Sequence, residues 1–329
     1  MMCVSSGIIY VFRDLQPLFH IKSKTMFAFF TNSSIISLNC DQTITNYNNE
    51  ELIDNKPFTA QLKLTQYCSE TQMLATANDM EIEIYNANTL QKVIVLKRNV
   101  TIVTSMKFSD DGEYLLSGSE YGQVILWHVK TGDKIKVIEA HSNLVSSVSL
   151  KQYILQAGFD QKIKLFNIFS KQPIKILEGH TSEVMRVLFT HDKKFVVSCG
   201  MDSCVIVWSA SDGKLIKKLQ HYDKITFIQV SSCDKFLISA EMSQHVRIWD
   251  LQSGKCIHSF KLHLSSVDFR SNNFIVCSQF GECCLFNVID SNHVQLSSNK
   301  NFVDLIKMVL LLLSLMKIRF KYLSQKLIK

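Results

Sequence analysis

Short stretches in which apolar and polar residues alternate run through most of the chain, separated by turn-forming residues. One of them, residues 103–108, is followed by Asp110-Asp111-Gly112, and the next stretch begins at Tyr114. Alternation with a period of two is typical of β-strands that bury one face, and Asp-Gly pairs are typical of hairpin turns. The helical period of 3.6 residues is absent from this part of the chain. The pattern therefore predicts an all-β fold made of antiparallel hairpins.

The alternating stretches recur at a regular spacing along the chain. The third strand of each repeat ends in an aromatic residue, at Tyr85, Trp127, Phe166, Trp208, Trp249 and Phe286. The intervals are 42, 39, 42, 41 and 37 residues, close to the ~40–45 residues of a repeat with four strands. With a weaker repeat that ends at Tyr47, the chain contains seven such units. We therefore predict seven four-stranded sheets.

One repeat, at residues 179–208, contains the whole pattern. It begins with Gly179-His180, its second strand leads into Ser198-x-x-x-Asp202, and its third strand ends at Trp208. On these residues the chain resembles the WD-repeat (β-transducin-like) family, whose repeats fold as blades of a β-propeller. The resemblance implies an all-β, seven-bladed WD-repeat β-propeller.

We expect three segments in the chain. The propeller is predicted to span residues 26–292, residues 1–25 to hold N-terminal strands that close the ring, and residues 293–329 to form a tail. In the family that the chain resembles, the first strand commonly completes the last blade, and residues 18–22 have the pattern of such an outer strand. There is an alternative with eight blades, because residues 8–12 resemble one more third strand and residues 294–296 one more outer strand.

The tail has a helical rather than a strand pattern. Its apolar residues are spaced three or four apart, at Leu305, Val309, Leu312, Met316, Phe320, Leu323 and Leu327. This spacing predicts a short amphipathic α-helix. Its longest uncharged run has nine residues, well short of the ~20 needed to span a bilayer. The helix has three interpretations: a docking helix for a partner, a helix on an anionic membrane, or a weakly ordered extension.

The positive charge of the chain lies mainly in this tail. The chain carries +7, of which residues 300–329 contribute +6, so the preceding residues are close to neutral. A broad DNA-binding surface on the predicted propeller is therefore not expected. The ten cysteines contain no C-x-x-C pair, and the first residues lack the pattern of a secretory signal. We predict an intracellular protein, cytoplasmic or nuclear, that is neither secreted nor transmembrane.

The resemblance assigns a structural role to the polar residues that recur from repeat to repeat. These residues are His180, Ser198, Asp202 and Trp208 in the complete repeat, His141 and Asp160 in the repeat before it, and His221, Ser239 and Trp249 in the repeat after it. A set of His, Asp and Ser is also typical of hydrolases. Here the set recurs by repeat and there is no Gly-x-Ser-x-Gly, so we predict buried structure and no catalytic, cofactor or metal site.

The candidate partner-binding residues lie beside this network, in turns and at strand starts. Those before the turn position are Glu120, Phe159, Met201 and Met242, and those at the strand starts are Leu144, Glu183, Met185, Lys224 and Asp268. Large apolar residues in exposed loops are typical of interfaces. The alternative is that these side chains fill the space between blades.

The sequence favours a non-catalytic scaffold that presents a rigid propeller face to other proteins in a multiprotein complex. One alternative is an RNA-associated assembly factor, for which the basic tail would provide contacts. A second alternative is a substrate receptor of a ubiquitin ligase, disfavoured because Gln252 stands where such receptors of this family carry arginine after Trp249-Asp250. Contact with a membrane is expected only through the tail.

Overall fold

The computed structural model describes most of the chain between residues 2 and 296. The described ranges are residues 2–5, 8–13, 16–22, 25–30, 35–39, 43–48, 51–57, 64–78, 81–97, 102–150, 153–167, 170, 172–261, 266–271, 274–279, 282–287 and 293–296. The predicted helix of the tail lies outside these ranges. Within them every regular element is a β-strand, and no helix is long and apolar enough to cross a membrane.

The strands form one three-stranded sheet and seven four-stranded sheets, each made of consecutive strands. The N-terminal sheet contains β1 (Met2–Ser5), β2 (Ile8–Arg13) and β3 (Gln16–Lys22). Sheet 1 contains β4 (Thr25–Phe30), β5 (Ile35–Asn39), β6 (Thr43–Asn48) and β7 (Glu51–Pro57). Sheet 2 contains β8 (Leu64–Cys68), β9 (Met73–Ala77), β10 (Glu81–Asn86) and β11 (Lys92–Lys97). Sheet 3 contains β12 (Val103–Phe108), β13 (Tyr114–Ser119), β14 (Gln123–His128) and β15 (Lys134–Glu139).

The remaining four sheets repeat the same arrangement. Sheet 4 contains β16 (Val145–Leu150), β17 (Tyr153–Gly158), β18 (Ile163–Asn167) and β19 (Lys175–Leu177). Sheet 5 contains β20 (Val184–Phe189), β21 (Phe195–Gly200), β22 (Cys204–Ser209) and β23 (Leu215–Gln220). Sheet 6 contains β24 (Ile225–Val230), β25 (Phe236–Glu241), β26 (His245–Asp250) and β27 (Cys256–Lys261). Sheet 7 contains β28 (Ser266–Ser271), β29 (Phe274–Gln279), β30 (Glu282–Asn287) and β31 (His293–Leu296).

The hydrophobic core lies between neighbouring sheets rather than within one of them. Strand residues of sheet 4 such as Leu155 and Ile163 pack with Val187 and Trp208 of sheet 5. Similar clusters join sheets 1 and 2, 2 and 3, 3 and 4, and 5 and 6. Sheets 2 to 5 each bury both faces against their neighbours, which explains why central strands such as Val205–Trp208 are apolar on both sides. The all-β propeller that the repeat predicted is therefore present.

The N-terminal strands close the ring in a different way from the expected one. Residues 18–22 do not complete sheet 7, because β3 pairs with β2, and the edge of β30 is already paired with β31. The N-terminal strands instead form their own sheet, whose first strand contacts β4 on one side and β28 and β29 on the other. In the described part of the chain the ring therefore has seven four-stranded sheets and a three-stranded eighth, as in the eight-blade alternative.

The first strand of sheet 2, Leu64–Cys68, leads into a tight turn in which Gln72 has φ of 54° and accepts a hydrogen bond from the Tyr67 hydroxyl at 2.9 Å. One predicted boundary also differs. Residues 293–296, which the sequence places in the tail, form the outer strand of sheet 7. The extent of the tail beyond them remains a prediction.

Candidate functional site

The complete repeat, sheet 5, contains a chain of buried hydrogen bonds across its polar residues. Nδ1 of His180 lies 2.9 Å from Oδ2 of Asp202, and Nε2 lies 2.8 Å from Oγ of Ser198. Nε1 of Trp208 donates to the same Oγ at 2.8 Å. With a proton on Nδ1, the ring donates to the carboxylate and accepts from the Ser198 hydroxyl, so each polar group has a partner.

The charge of Asp202 is stabilised within this network. Burial alone would raise the pKa of the Asp202 carboxyl, but hydrogen bonds from His180 and from the backbone amides of Thr181 and Cys204 lower it overall. The carboxylate therefore stays ionised and holds the imidazole in one orientation. The geometry is that of a hydrolase triad, yet Ser198 is 0% exposed and its oxygen already accepts the indole N–H. A substrate has no access to this hydroxyl, so the arrangement stabilises the fold.

The neighbouring sheets contain parts of the same network. In sheet 6, Nε2 of His221 lies 2.7 Å from Oγ of Ser239, which also accepts from Nε1 of Trp249 at 2.9 Å. Since Ser243 replaces the aspartate, Nδ1 of His221 donates instead to the carbonyl of Leu219 at 3.2 Å. Desolvation, opposed by this hydrogen bond and reinforced by the charge of Arg247, lowers the pKa of His221 to about 4.

In sheet 4 the network is broken. Nδ1 of His141 lies 2.8 Å from Asp160, but the serine position is Gln156 and the tryptophan position is Phe166. Among the described residues, neither end of the buried Gln156 amide nor Nε2 of His141 has a hydrogen-bond partner. Sheet 3, which the sequence left unassigned, retains the last link, since Trp127 donates to Ser117 at 2.9 Å.

Seven of the nine predicted partner-binding residues, all except Met185 and Asp268, lie at one end of the sheets. We call this end the turn face (residues 120–122, 142–144, 159–161, 181–183, 201–203, 222–224 and 242–244). The turn residues are fixed there by backbone hydrogen bonds to the strand starts. The amides donate from Glu120 to Ile102, from Phe159 to Leu144, from Met201 to Glu183 and from Met242 to Lys224, at 2.9–3.1 Å. The same bond repeated in four sheets holds the backbone of each turn against the first strand of its own sheet.

These candidate residues differ in what they present to solvent. Met242 is 56% exposed and Lys224 is exposed, whereas Phe159 and Met201 are half-buried. Met185 packs against the hydrophobic cluster between sheets 5 and 6, as expected for a side chain that fills the space between blades. Half-buried positions are also found for Glu120, Leu144 and Glu183. Asp268 lies on β28, and its side chain is outside the described part of the structure.

Two tyrosines of the turn face were not predicted from the sequence. Tyr121 is 70% exposed and occupies the turn position that holds Asp160 and Asp202 in other sheets. Tyr222 is 91% exposed and directly follows His221. The signal that could have found them is an aromatic residue at a turn position that is polar in the neighbouring repeats.

Tyr222 contacts the arginine of a buried ion pair. Nε of Arg247 lies 3.0 Å from Oε1 of Glu241, and both side chains are almost fully buried. The guanidinium carbon lies 4.5 Å from the centre of the Tyr222 ring and 5.9 Å from that of Trp249. A cation over its ring restricts the exposed tyrosine, and a restricted aromatic side chain loses little entropy when a partner covers it. Within the described residues, no group of His, Cys, Asp and Glu side chains has the geometry of a metal site.

Comparison with known proteins supports the fold and the repeat. The family model "WD domain, G-beta repeat" matches residues 171–209 and 213–250, and the model "Anaphase-promoting complex subunit 4 WD40 domain" matches residues 65–153. A chain in the solved structure "Crystal Structure of Mitotic Checkpoint Complex" superposes with a TM-score of 0.65 at 18% identity, covering 71% of this chain and 78% of that chain. At this identity the likeness shows the fold alone.

Similar curated proteins carry several names. The chain is 24% identical over 148 residues to the anaphase-promoting complex subunit cdc20 of Dictyostelium discoideum, which covers 43% of this chain and 29% of that protein. It is 28% identical over 160 residues to the human serine-threonine kinase receptor-associated protein, and the match covers 47% of this chain and 45% of that protein. The identity to the guanine nucleotide-binding protein subunit beta of Dictyostelium discoideum is 26% over 144 residues, covering 41% of each. The chain thus spans less than half the length of these relatives. With the repeat, the eight-sheet ring and the matching family model, the chain belongs to the WD-repeat family of β-propeller proteins.

Proposed function

We propose that this protein is a non-catalytic scaffold whose turn face binds another protein within a multiprotein complex. The observation that carries the proposal is the exposure of Tyr222 and Met242 on that face, where the backbone and the Arg247–Glu241 pair hold their surroundings rigid. Tyrosine, methionine and arginine are enriched at interfaces, and a preformed surface reduces the entropy lost on association. Tyr121, Phe159 and Met201 extend the same surface over sheets 3 to 5.

A double variant tests this proposal. Tyr222→Ser with Met242→Ser should lower the affinity for a partner about 30-fold or more, as expected for loss of two anchor residues. The matched control is Val137→Ser with Ile216→Ser, which removes comparably exposed apolar side chains from the outer strands of sheets 3 and 5. Quantitative affinity purification with mass spectrometry compares the two. Partners that stay bound to the turn-face variant, or that leave both variants equally, would contradict the proposal.

An RNA-associated assembly factor is the second candidate, favoured by the +6 charge of residues 300–329. Contacts between lysines and phosphates make binding strongly dependent on salt. RNA affinity that falls steeply with salt and disappears when the tail is removed would favour this candidate over a protein-docking tail. A role as substrate receptor of a ubiquitin ligase is a weaker candidate, because Gln252 replaces the expected arginine.

We also propose an intracellular location. The described cysteines (Cys68, Cys199, Cys204, Cys233 and Cys256) are free thiols, which suits a reducing compartment. Fluorescence microscopy of the tagged full chain, with separate cytoplasmic and nuclear markers, distinguishes the two intracellular locations. A secreted pool would contradict this assignment.

A further inference from the structure

The centre of the ring holds a cavity that the docking function does not use. Its volume is about 280 Å³, and the first strands of sheets 2 to 6 line it. This volume is slightly below the ~300–1,000 Å³ of typical small-molecule sites, so a ligand that fits here would be small.

Two basic side chains line this cavity, Arg186 from sheet 5 and Lys107 from sheet 3. The described residues around it include serines and threonines but no aspartate or glutamate. Hydroxyls of Thr104 and Ser146 donate to backbone carbonyls of the next sheet, Thr104 to Val145 at 2.6 Å, and thereby fix the wall. The cavity therefore has a polar, positively charged lining of defined shape.

Arg186 is held in place by an aromatic side chain. Its guanidinium carbon lies 4.5 Å from the centre of the Phe227 ring, and no acidic side chain of the described residues lies within ion-pair distance of it. Desolvation by the cavity walls lowers the pKa of Arg186, while the nearby Cys199 opposes the shift. Arg186 is exposed to solvent. A guanidinium that stacks on an aromatic ring keeps its N–H donors available for an anion, and their fork matches phosphate and carboxylate oxygens.

The fold itself does not require an arginine at this position. In each of sheets 3 to 6 the first strand has an irregularity in its pairing, and the residue that follows it is Ser105, Ser147, Arg186 or Phe227. Two sheets thus hold a serine in the place of Arg186. A charge placed in a cavity without structural need indicates a ligand.

We propose that the central cavity binds a small multivalent oxyanion, carrying phosphate or carboxylate groups, through Arg186. The site lies on the axis of the ring, so it is separate from the turn face and does not depend on the protein-docking proposal.

The test measures thermal unfolding and calorimetric binding of the full chain with sodium pyrophosphate and with sodium citrate, against sodium chloride at matched ionic strength. We expect a saturable rise in Tm of a few degrees at an anion concentration of about 100 Kd. In Arg186→Ser, which copies the residue of sheets 3 and 4, the affinity should fall about tenfold or more. The control, Lys130→Ser, removes a positive charge at an exposed turn and should bind as the native chain does.

The relative strength of pyrophosphate and citrate identifies the anionic group of the natural ligand. If neither anion raises Tm beyond sodium chloride, or if Arg186→Ser responds as strongly as the native chain, the proposal is wrong. Should Arg186→Ser fail to fold, Arg186→Gln removes the charge with a side chain of more similar length, and the same two outcomes apply to it.

Discussion

Gln156 stands in sheet 4 where Ser198 and Ser239 stand in the next two sheets, and this difference leaves polar groups without partners in the core. Gln156 is 0% exposed, and its side-chain amide has no hydrogen bond to any described residue. Nε2 of His141 also has no hydrogen-bond partner among the described residues. A buried polar group without a partner costs about 1–3 kcal/mol of stability. Desolvation, partly offset by Asp160, lowers the pKa of His141, so its ring stays neutral.

Repair of this network should stabilise the protein. In Gln156→Ser with Phe166→Trp, the new hydroxyl meets Nε2 of His141 and accepts from the new indole, as in sheet 5. We expect the free energy of unfolding to rise by about 1–3 kcal/mol, measured as a higher midpoint in guanidinium chloride. The side-chain volume removed at position 156 is largely replaced by the larger side chain at position 166, so no large cavity results.

The reciprocal change in sheet 5 is the control. Ser198→Gln with Trp208→Phe gives that sheet the residues of sheet 4, and its stability should fall by a similar amount. A repaired sheet 4 with unchanged or lower stability would mean that the Gln156 amide is already satisfied.

His221 gives stability a dependence on pH. Its pKa is about 4 in the folded state, against 6.5 for an unperturbed histidine. Between these values the unfolded chain binds a proton that the folded state does not, so stability is complete above pH 6.5 and falls as the pH falls towards 4. The loss should be roughly 2–4 kcal/mol, measured by urea unfolding at several pH values.

The variant His221→Gln keeps a hydrogen-bonding side chain that cannot be protonated in this range. Its stability should be lower than native at pH 7 but should decrease less between pH 6.5 and pH 4. His128→Gln controls for the loss of one histidine outside the networks. An unchanged pH profile in His221→Gln would assign the acid sensitivity to other groups, of which His141 is the next candidate.

At the scale of elements, lysines of the outer strands bind the next sheet in the ring. Nζ of Lys217 donates to the carbonyls of Leu251, at 3.2 Å, and of Gln252. Lys175 does the same with Ala210 and Ser211, and Lys136 with Asn167 and Ser170. Desolvation lowers the pKa of Lys136, as expected for an ammonium group that packs against the neighbouring turn. Successive sheets are thus joined at the rim as well as in the core.

Removal of one such lysine should weaken one boundary between sheets. Lys217→Met keeps the start of the aliphatic stem and removes the two charge-assisted hydrogen bonds. We expect a loss of about 1–2 kcal/mol, because the group is partly exposed. Lys214→Met is the control, since its exposed pair with Asp212 should contribute little. Equal losses in both variants, measured by chemical unfolding, would show that the contact with the next sheet is unimportant.

The strands of sheets 3 to 6 could be predicted from the sequence because period-two alternation and turn residues are local signals. The pairing of residues 16–22 could not, since an outer strand has the same pattern whichever edge it joins. The turn residues of the candidate site could be predicted as well, because they too are marked by local signals. Alignment to His141, His180 and His221 found the turn residues, but Tyr222 contacts Arg247, which is far from it in the chain. Only the folded sheet brings the two together.

At the scale of the whole ring, the polar networks are graded. Sheet 5 has the complete set, sheet 6 lacks the aspartate, sheet 4 lacks the serine and the tryptophan, and sheet 3 retains the Trp127–Ser117 bond. Sheet 5 is also packed on both faces by the large clusters that it shares with sheets 4 and 6. Since local opening requires the loss of both kinds of contact, stability should be highest there and should decrease towards both sides.

Hydrogen exchange measured by mass spectrometry tests this gradient in the full chain. Peptides that cover Val184–Ser209 should exchange most slowly, followed by those of sheet 6, and those of sheet 4 should exchange faster than both. Ser198→Ala removes the acceptor of Trp208 and the partner of His180, so it should raise exchange in sheet 5 about tenfold or more while sheet 3 changes little. If exchange in Ser198→Ala rises equally in all sheets, the ring opens as one cooperative unit, and the networks set its global stability rather than the rigidity of single blades.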